Sequence, residues 1–170
     1  MFNNIYRDKK VLVTGHTGFK GTWLTTWLLK LGAEVVGISK DIPTNPSMFE
    51  ELMLENKIKH YQEDIRDLSK MIEIISSEEP EFLFHLAAQP IVSTSYNDPI
   101  ETISSNVMGT ANILEALKTS NHKCSAIIIT SDKAYDNVEQ VWGYKEDDKM
   151  GGKDIYSGSK GAAELIIKSY

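Results

Sequence analysis

The feature that most constrains the fold of this chain is a glycine-rich segment between two apolar stretches near the amino terminus. An apolar run, residues 11–14, is followed by Gly15, Gly18 and Gly21 and then by a helix-like run, residues 23–29. In a strand–turn–helix unit of this kind, backbone N–H groups and a helix N-terminus face a phosphate group. The loop carries no acidic residue that would repel phosphate. It therefore predicts a dinucleotide-binding turn, although its G-x-x-G-x-x-G spacing differs from the commonest G-x-G-x-x-G pattern.

The rest of the sequence alternates between strand-like and helix-like stretches. The pattern predicts strands over residues 10–14, 34–39, 58–62, 82–85 and 126–130. It predicts helices over residues 19–31, 67–76, 99–119 and 156–169, with a shorter helix around residues 47–55. Such alternation is typical of parallel sheets with right-handed crossovers. The predicted fold class is α/β, a doubly wound Rossmann-type parallel sheet with strand order 3-2-1-4-5.

We predict a single NAD(P)-binding Rossmann domain over residues 1–170, and we expect it to be incomplete because this fold usually has at least a sixth strand. The last predicted helix runs to residue 169, next to the final Tyr170, so we expect a longer chain with a C-terminal substrate-binding domain. A naturally short relative of the fold is the alternative. We expect the isolated 170 residues to be poorly soluble or self-associating, because an unpaired apolar sheet edge promotes association.

Composition and charge exclude several classes of function. The net charge is −6 and Lys and Arg form no cluster, which argues against a nucleic-acid partner, since such proteins neutralise phosphates with a basic surface. Cys124 is the single cysteine, which excludes an intrachain disulfide and a cysteine-rich zinc site, and we predict no metal site. No segment approaches the roughly 20 apolar residues of a membrane span. We therefore expect a cytoplasmic protein with no membrane partner.

The ends of the second and third predicted strands carry candidates for contacts with the adenosine half of a dinucleotide. Ser39 and Lys40 stand where NAD-binding folds usually have an acid for the ribose. That acid is absent here or displaced to Asp41, and Ser39 and Lys40 could instead favour the 2′-phosphate of NADP. A solvated Lys40 is the structural alternative. Asp64 and Ile65 are candidates for contacts with the adenine edge. A helix N-cap at Asp67 is the structural alternative for this motif, and the two are compatible.

Further cofactor contacts are predicted after the fourth strand and in the glycine loop. Small side chains after the fourth strand let the backbone lie against a flat ligand, and the residues there are Leu86, Ala87, Ala88 and Gln89. His85 is more consistent with a hydrogen-bonded structural histidine than with a catalyst. His16 and Lys20 lie near the phosphates or are solvated. The other positions assigned to the cofactor are Thr17, Phe19, Lys20, Ser105, Tyr156 and Lys160.

Two polar motifs are candidates for catalysis. Tyr156 and Lys160 are one helical turn apart, where an ammonium group can stabilise a phenolate. The same spacing occurs at Tyr6 and Lys10, so the position of the later pair, on a helix after the fifth strand, is what marks it. The second motif, Ser131-Asp132-Lys133, follows the fifth strand at the edge where ligands bind in open α/β sheets. A solvated turn is its structural alternative.

These motifs, in this order, resemble the extended short-chain dehydrogenase/reductase family, and more closely its sugar-nucleotide 4,6-dehydratases. The resemblance covers essentially the whole chain and rests on residues 15–21, 85–90, 106–110, 130–133, 142–144 and 156–160. The lysine at position 133 resembles the residue found there in the branch that acts on CDP-glucose, whereas the dTDP-glucose branch has a glutamate at that position. The resemblance implies NAD as cofactor, with NADP not excluded, CDP-glucose as substrate, and a homodimer or homotetramer of the full-length protein.

The resemblance also implies a role for each catalytic candidate. Tyr156, assisted by Lys160, would take the proton from the sugar 4-hydroxyl while hydride leaves C4. Asp132 would be the acid that helps the C6 hydroxyl leave, and Ser131 would hold the C4 oxygen. Lys133 would be the base at C5 or a charged group that stabilises the enolate.

Two other functions compete with the dehydratase interpretation. A sugar-nucleotide 4-epimerase of the same family shares Tyr156, Lys160 and the glycine loop, but has no use for Asp132 and Lys133. A non-catalytic NAD(P)-binding regulator or scaffold would commonly lack the tyrosine–lysine pair, which this chain retains. The sequence therefore favours the dehydratase.

Overall fold

The computed structural model describes residues 2–170, which form a five-stranded parallel sheet with helices on both faces. The strand order β3-β2-β1-β4-β5 confirms the predicted α/β topology. The central strand is buried along most of its length because helices cover it on both sides, and its sequence is correspondingly a continuous apolar run. The strands are β1 (Lys10–Thr14), β2 (Glu34–Ser39), β3 (Lys59–Gln62), β4 (Phe82–His85) and β5 (Ser125–Ile128).

Helices follow each of the first four strands, and a long helix closes the chain. The α-helices are α1 (Phe19–Lys30), α2 (Met48–Glu51), α3 (Leu68–Glu78), α4 (Val92–Asn97), α5 (Pro99–Ile103), α6 (Gly109–Thr119) and α7 (Ile155–Ser169). Short 3₁₀ turns lie at Leu54–Asn56 and Asp132–Ala134. None of the helices within residues 2–170 is long and apolar enough to cross a bilayer.

The two faces of the sheet carry separate apolar cores, because alternate residues of a strand point to opposite sides. Leu12 of β1 packs on one face with residues of α3 and α6, among them Met71 and Ile113. Val11 and Val13 pack on the other face with residues of α1. The sheet is thereby fixed between helices, and the carboxyl ends of its strands are left free to form a site.

The long helix predicted over residues 99–119 is wrong in detail. The segment is broken into α5, a π-helical turn at Ser104–Met108, and α6. Asp98 begins α5 by accepting a 3.0 Å hydrogen bond from the Glu101 N–H, with Pro99 in the first turn. The π turn directs Asn106 toward the loop after β4, where its side chain accepts a 2.8 Å hydrogen bond from the Gln89 N–H.

The helix α4 was not predicted, and the fifth strand and the short helix have different bounds. β5 ends at Ile128 rather than at residue 130, and the helix expected near residues 47–55 is divided into α2 and a 3₁₀ turn. Met53, between these two pieces, has a left-handed backbone conformation that no α-helix contains. The end of β5 and the segment that follows β4 lie at the carboxyl-terminal edge of the sheet, where the cavity is lined by residues 86–90, 129 and 130.

Candidate active site

The glycine loop is a tight turn that leaves no room for a side chain at two of its positions. Gly15 has a left-handed φ of +73°, and a Cβ there would lie 2.8 Å from the Ala87 amide nitrogen. A Cβ on Gly21, inside α1, would lie 2.7 Å from the His16 Cα and would overlap the Gly15 carbonyl oxygen. The loop can therefore lie directly against both the start of α1 and the loop after β4.

The start of α1 is prepared for a negatively charged ligand. Its N-cap is Gly18, which provides no side chain to accept hydrogen bonds from the first-turn N–H groups. The first turn contains no acidic residue. Because the first N–H groups of a helix have no partner within the helix, they are available to a phosphate, which the helix dipole also favours.

A cavity of about 630 Å³ opens above the carboxyl ends of the strands. This volume lies within the usual range of cofactor pockets. All of the residues that the sequence assigned to the cofactor line it, namely Gly15, Thr17, Gly18, Phe19, Lys20, Gly21, Ser39, Lys40, Asp64, Ile65, Leu86, Ala87, Ala88, Gln89, Ser105, Tyr156 and Lys160. Asp41, to which the sequence analysis allowed the ribose-binding acid to be displaced, also lines the cavity. The remaining lining residues, to which the sequence analysis gave no cofactor contact, are Pro43, Glu63, Pro90, Ile129 and Thr130.

His16 is buried and does not line the cavity, so the alternative that it is solvated is wrong. Its Nδ1 lies 3.1 Å from the Ser39 Oγ, and its Nε2 lies 2.7 Å from the Nδ1 of His60. Burial and the neighbouring His60 lower the pKa of His16 to about 4. The ring is therefore neutral at pH 7, and it fixes Ser39 at the end of β2. Lys20, by contrast, is exposed at the cavity.

Thr14 and His85 join the ends of β1 and β4. The Thr14 Oγ1 accepts hydrogen bonds from the N–H groups of Leu86 and Ala87, at 3.2 and 3.1 Å, and lies 2.6 Å from the His85 Nδ1. Because the lone pairs of the Thr14 oxygen already accept these two hydrogen bonds, the Thr14 hydroxyl donates its proton to the His85 Nδ1. The His85 Nε2 then carries the ring hydrogen and donates it to the Thr110 Oγ1 at 3.2 Å.

His85 is therefore a neutral structural side chain. Burial and the charge of Lys160 lower its pKa to about 3. Both of its ring nitrogens are hydrogen-bonded, which agrees with the interpretation favoured from the sequence. It links the end of β1, through Thr14, to α6, through Thr110.

Tyr156 and Lys160 lie together on the first turns of α7 at the cavity wall. Asp154 begins the helix by accepting a 2.9 Å hydrogen bond from the Ser157 N–H. Tyr156 is 9% and Lys160 6% exposed, and the Lys160 Nζ lies 6.0 Å from the centre of the Tyr156 ring. Burial lowers the pKa of Lys160, and the carboxylate of Glu164 acts in the opposite direction. The pair thus offers a phenol beside a partly desolvated cation.

The triplet Ser131-Asp132-Lys133 forms the 3₁₀ turn that follows β5. The Ser131 Oγ accepts a 3.2 Å hydrogen bond from the Lys133 N–H and lies 3.2 Å from the Asp132 carboxylate. Asp132 and Lys133 are exposed, and none of the three lines the cavity. The turn packs against α7 through the Ala134 carbonyl oxygen, which a Cβ on Gly161 would approach to 3.2 Å. The structure therefore brings the triplet beside the tyrosine helix but leaves its charges in solvent.

Thr130, immediately before the triplet, lines the cavity, although no role was predicted for it from the sequence. Its hydroxyl donates a hydrogen bond to the carboxylate of Glu164 on α7. Glu164 is also the carboxylate that acts on Lys160. The interaction between Glu164 and Lys160 could have been suspected from the sequence, since Glu164 is one helical turn beyond Lys160. Among the described residues, no group of three or more His, Cys, Asp or Glu side chains is arranged to hold a metal ion.

Residues 12–170 match the family of proteins described as GDP-mannose 4,6 dehydratase. The matched region includes the glycine loop and the helix that carries Tyr156 and Lys160. The chain belongs to this family. It is a family of extended short-chain dehydrogenases/reductases, which agrees with the resemblance seen in the motifs.

Individual relatives are similar over nearly all of the chain. It is 50% identical over 167 residues to CDP-glucose 4,6-dehydratase of Salmonella typhimurium, a match that covers 98% of this chain and 46% of that protein. Pal from Bacillus thuringiensis is 30% identical, with a TM-score of 0.82 over 95% of this chain and 51% of the other. The UDP-glucose 4-epimerase of Thermus thermophilus, solved in complex with NAD, is 26% identical, with a TM-score of 0.82 and coverage of 95% and 50%. The chain thus spans about half the length of these proteins.

Proposed function

We propose that residues 1–170 form the cofactor-binding domain of a sugar-nucleotide 4,6-dehydratase that uses NAD and acts on CDP-glucose. The observation that carries the proposal is the buried Tyr156–Lys160 pair, which shares one cavity with a glycine loop. The 50% identity to CDP-glucose 4,6-dehydratase over nearly all of the chain supports the substrate. A cytoplasmic location and a dimeric or tetrameric assembly stay predictions.

The lining of the cavity fits a dinucleotide. Gly15 and Gly21 leave the loop open where a Cβ would clash with backbone, and the first turn of α1 presents N–H groups without a competing acid. These groups would hold the pyrophosphate, while Ser39 and Lys40 would lie beside the adenosine ribose and the loop after β4 beside the flat end of the ligand. When bound, NAD supplies a hydride acceptor at the start of the reaction and a hydride donor at its end.

Proton removal from the sugar 4-hydroxyl is assigned to Tyr156. A phenol has an ordinary pKa near ~10, so a cation is needed to favour the phenolate at neutral pH. Lys160 provides that cation in a nearly dry wall of the cavity, where its charge acts more strongly than in water. Glu164 helps to keep Lys160 charged, because its carboxylate favours the ammonium form.

Elimination of water is assigned to the turn after β5. In the proposal Ser131 donates a hydrogen bond to the C4 oxygen, and Asp132 protonates the departing C6 hydroxyl. Lys133 removes the C5 proton or stabilises the enolate as a cation. The packing of the turn against α7 supports this assignment, since it keeps the three residues beside the helix that carries Tyr156.

The proposal is tested by adding CDP-glucose to the protein expressed from its complete gene and following the ultraviolet absorbance of a 4-keto-6-deoxy sugar. Tyr156→Phe removes only the ionisable oxygen, so we expect NAD binding to be kept and turnover to be lost. Tyr6→Phe is the matched control, because Tyr6 has the same spacing to a lysine but packs on Phe82, away from the cavity. A Tyr156→Phe variant with near-normal turnover, or a wild-type protein that binds no NAD, would refute the proposal.

A 4-epimerase is the second candidate, and the similarity to NAD-containing UDP-glucose 4-epimerases favours it as the alternative. An epimerase inverts C4 and leaves the C6 hydroxyl in place. Mass spectrometry of the product distinguishes the two functions, because only the dehydratase product has lost water. A product of unchanged mass with inverted C4 would replace the proposed dehydratase by an epimerase.

A further inference from the structure

Four charged side chains form a cluster at the edge of the cavity, at the carboxyl ends of β2 and β3. We refer to Lys40, Asp64, Arg66 and Glu101 as the charge cluster. The Lys40 Nζ lies 2.9 Å from one carboxylate oxygen of Glu101, and Arg66 pairs with the other. Arg66 also makes a two-pronged pair with Asp64, with its Nε 3.0 Å from Oδ1 and its Nη2 2.5 Å from Oδ2. The two cations are thus held by two carboxylates.

Glu101 is the member that joins the two halves of the charge cluster. It is fixed on α5, in the first turn after the Asp98 cap, and its Oε1 also accepts a 3.2 Å hydrogen bond from the Ser105 hydroxyl. Its side chain is 24% exposed, whereas that of Lys40 is 49% exposed. The Lys40 and Arg66 charges lower the pKa of Glu101, with the Lys40 hydrogen bond as the largest cause. The carboxylate is therefore ionised at neutral pH.

The charge cluster lies where a dinucleotide would place its adenosine ribose. In the doubly wound fold, the residue at the end of the second strand meets the ribose 2′-hydroxyl or its 2′-phosphate. Ser39 and Lys40 occupy that position, and both line the cavity together with Asp64. Lys40 taken alone favours a 2′-phosphate, as the sequence suggested. The structure adds that Lys40 already has an anionic partner.

We propose that Glu101 is a specificity-determining residue. Its ion pairs with Lys40 and Arg66 make the cavity select NAD over NADP. The inference rests on the proposed function, in that the cavity must bind a dinucleotide. A 2′-phosphate adds up to about two negative charges and needs unpaired cations. To provide them, Lys40 or Arg66 must leave Glu101, whose carboxylate would then face the phosphate. A ribose hydroxyl makes no such demand.

Glu101→Gln tests this inference, because it removes the negative charge and keeps the size of the side chain. The affinities of the protein for NAD and for NADP are measured by isothermal titration calorimetry, without substrate. The matched control is Glu73→Gln, which removes one carboxylate from the exposed Lys70–Glu73 pair on α3, away from the cavity. A third variant, Glu101→Gln with Lys40→Met, removes the cation that the first variant releases. Thermal unfolding of each variant establishes that it is folded.

We expect Glu101→Gln to tighten NADP binding about tenfold, with NAD affinity changed less than about threefold, since the removed charge acts mainly on the added phosphate. Raised salt should reduce the gain, because the charges are partly exposed. Glu73→Gln should leave both affinities unchanged, and the added Lys40→Met should abolish the gain. Wild-type protein that binds NADP as tightly as NAD, or equal gains for both cofactors, would overturn the inference. Neither result bears on the proposed function, which instead fails if NAD does not bind at all.

Discussion

Two glycines inside helices differ in whether a side chain would clash with neighbouring backbone. Replacing each of them by alanine therefore distinguishes the cost of that clash from the gain in helix propensity that alanine gives. Gly21 lies in α1 and Gly158 in α7, so each Gly→Ala change gains about 1 kcal/mol of helix propensity. A Cβ on Gly158 would have no heavy atom within 4 Å apart from its chain neighbours and the backbone of its own helix. A Cβ on Gly21 would lie 2.7 Å from His16 Cα and 2.8 Å from the Gly15 carbonyl carbon. These neighbours are backbone atoms, which cannot move aside as a flexible side chain can.

The expected changes in the free energy of unfolding follow from the gain in helix propensity and from the cost of overpacking. Gly158→Ala should stabilise the fold by about 1 kcal/mol. Gly21→Ala should lose about 3 kcal/mol to overpacking, at the upper end of the usual range, for a net loss of about 2 kcal/mol. The two variants should therefore differ by about 3 kcal/mol, or by roughly 6–12 °C in melting temperature for a chain of this size.

Urea unfolding followed by circular dichroism measures the difference, and calorimetry with NAD measures its effect on the site. We expect NAD affinity to fall in Gly21→Ala, because α1 must move away from the loop that holds the pyrophosphate, and to stay unchanged in Gly158→Ala. If Gly21→Ala is stabilised as much as Gly158→Ala, then α1 does not pack on the glycine loop as described. A phosphate site at this helix would then lose its structural support.

Two further predictions concern the elimination step and the buried histidines. Asp132→Asn should slow product formation by ~10²–10⁴-fold, the usual contribution of a general acid, while reduced cofactor accumulates because C4 oxidation remains possible. Unchanged dehydration in this variant would speak against the assigned acid. The pKa values of His16 and His85 in the folded state, about 4 and about 3, lie below the unfolded value of about 6.5. Their contribution to stability is thus complete above pH 6.5 and is lost as the pH falls toward the folded values, at up to ~1.4 kcal/mol per pH unit for each. His85→Gln should make the loss of stability between pH 6.5 and 4 less steep in urea unfolding, and a slope equal to the wild type would contradict the burial described for His85.

The sequence alone was enough to predict the order of the sheet. The apolar runs at residues 11–13 and 82–84 do not alternate with polar residues, which is typical of parallel strands covered on both sides. The intervening helices require crossover connections, and crossovers of one hand leave few possible strand orders. The glycine loop was also readable, because the need for a left-handed φ at Gly15 is a local property of the backbone.

The helix α4 and the π turn could not be predicted from the pattern of apolar residues. Residues 92–97 are mostly polar and lack a helical apolar period, so nothing local distinguishes them from a loop. The helix is held by a tertiary contact, in which the buried Ser95 Oγ accepts a 3.3 Å hydrogen bond from the Tyr156 N–H. The π turn is likewise fixed by Asn106, whose side chain bonds Gln89 and the Ser159 hydroxyl at 2.9 Å.

What the sequence determined by itself was the strands with their order and the residue types at the sheet edge, because both depend on the pattern of apolar residues and on backbone geometry. The tertiary structure decided which side chains at that edge face the cavity and which charges are already paired. His16 is buried against Gly37, where a Cβ would lie 2.5 Å from its ring, and Lys40 is held by Glu101, 61 residues away. Burial and ion pairing depend on neighbours that the fold supplies from distant segments, and no local pattern contains them.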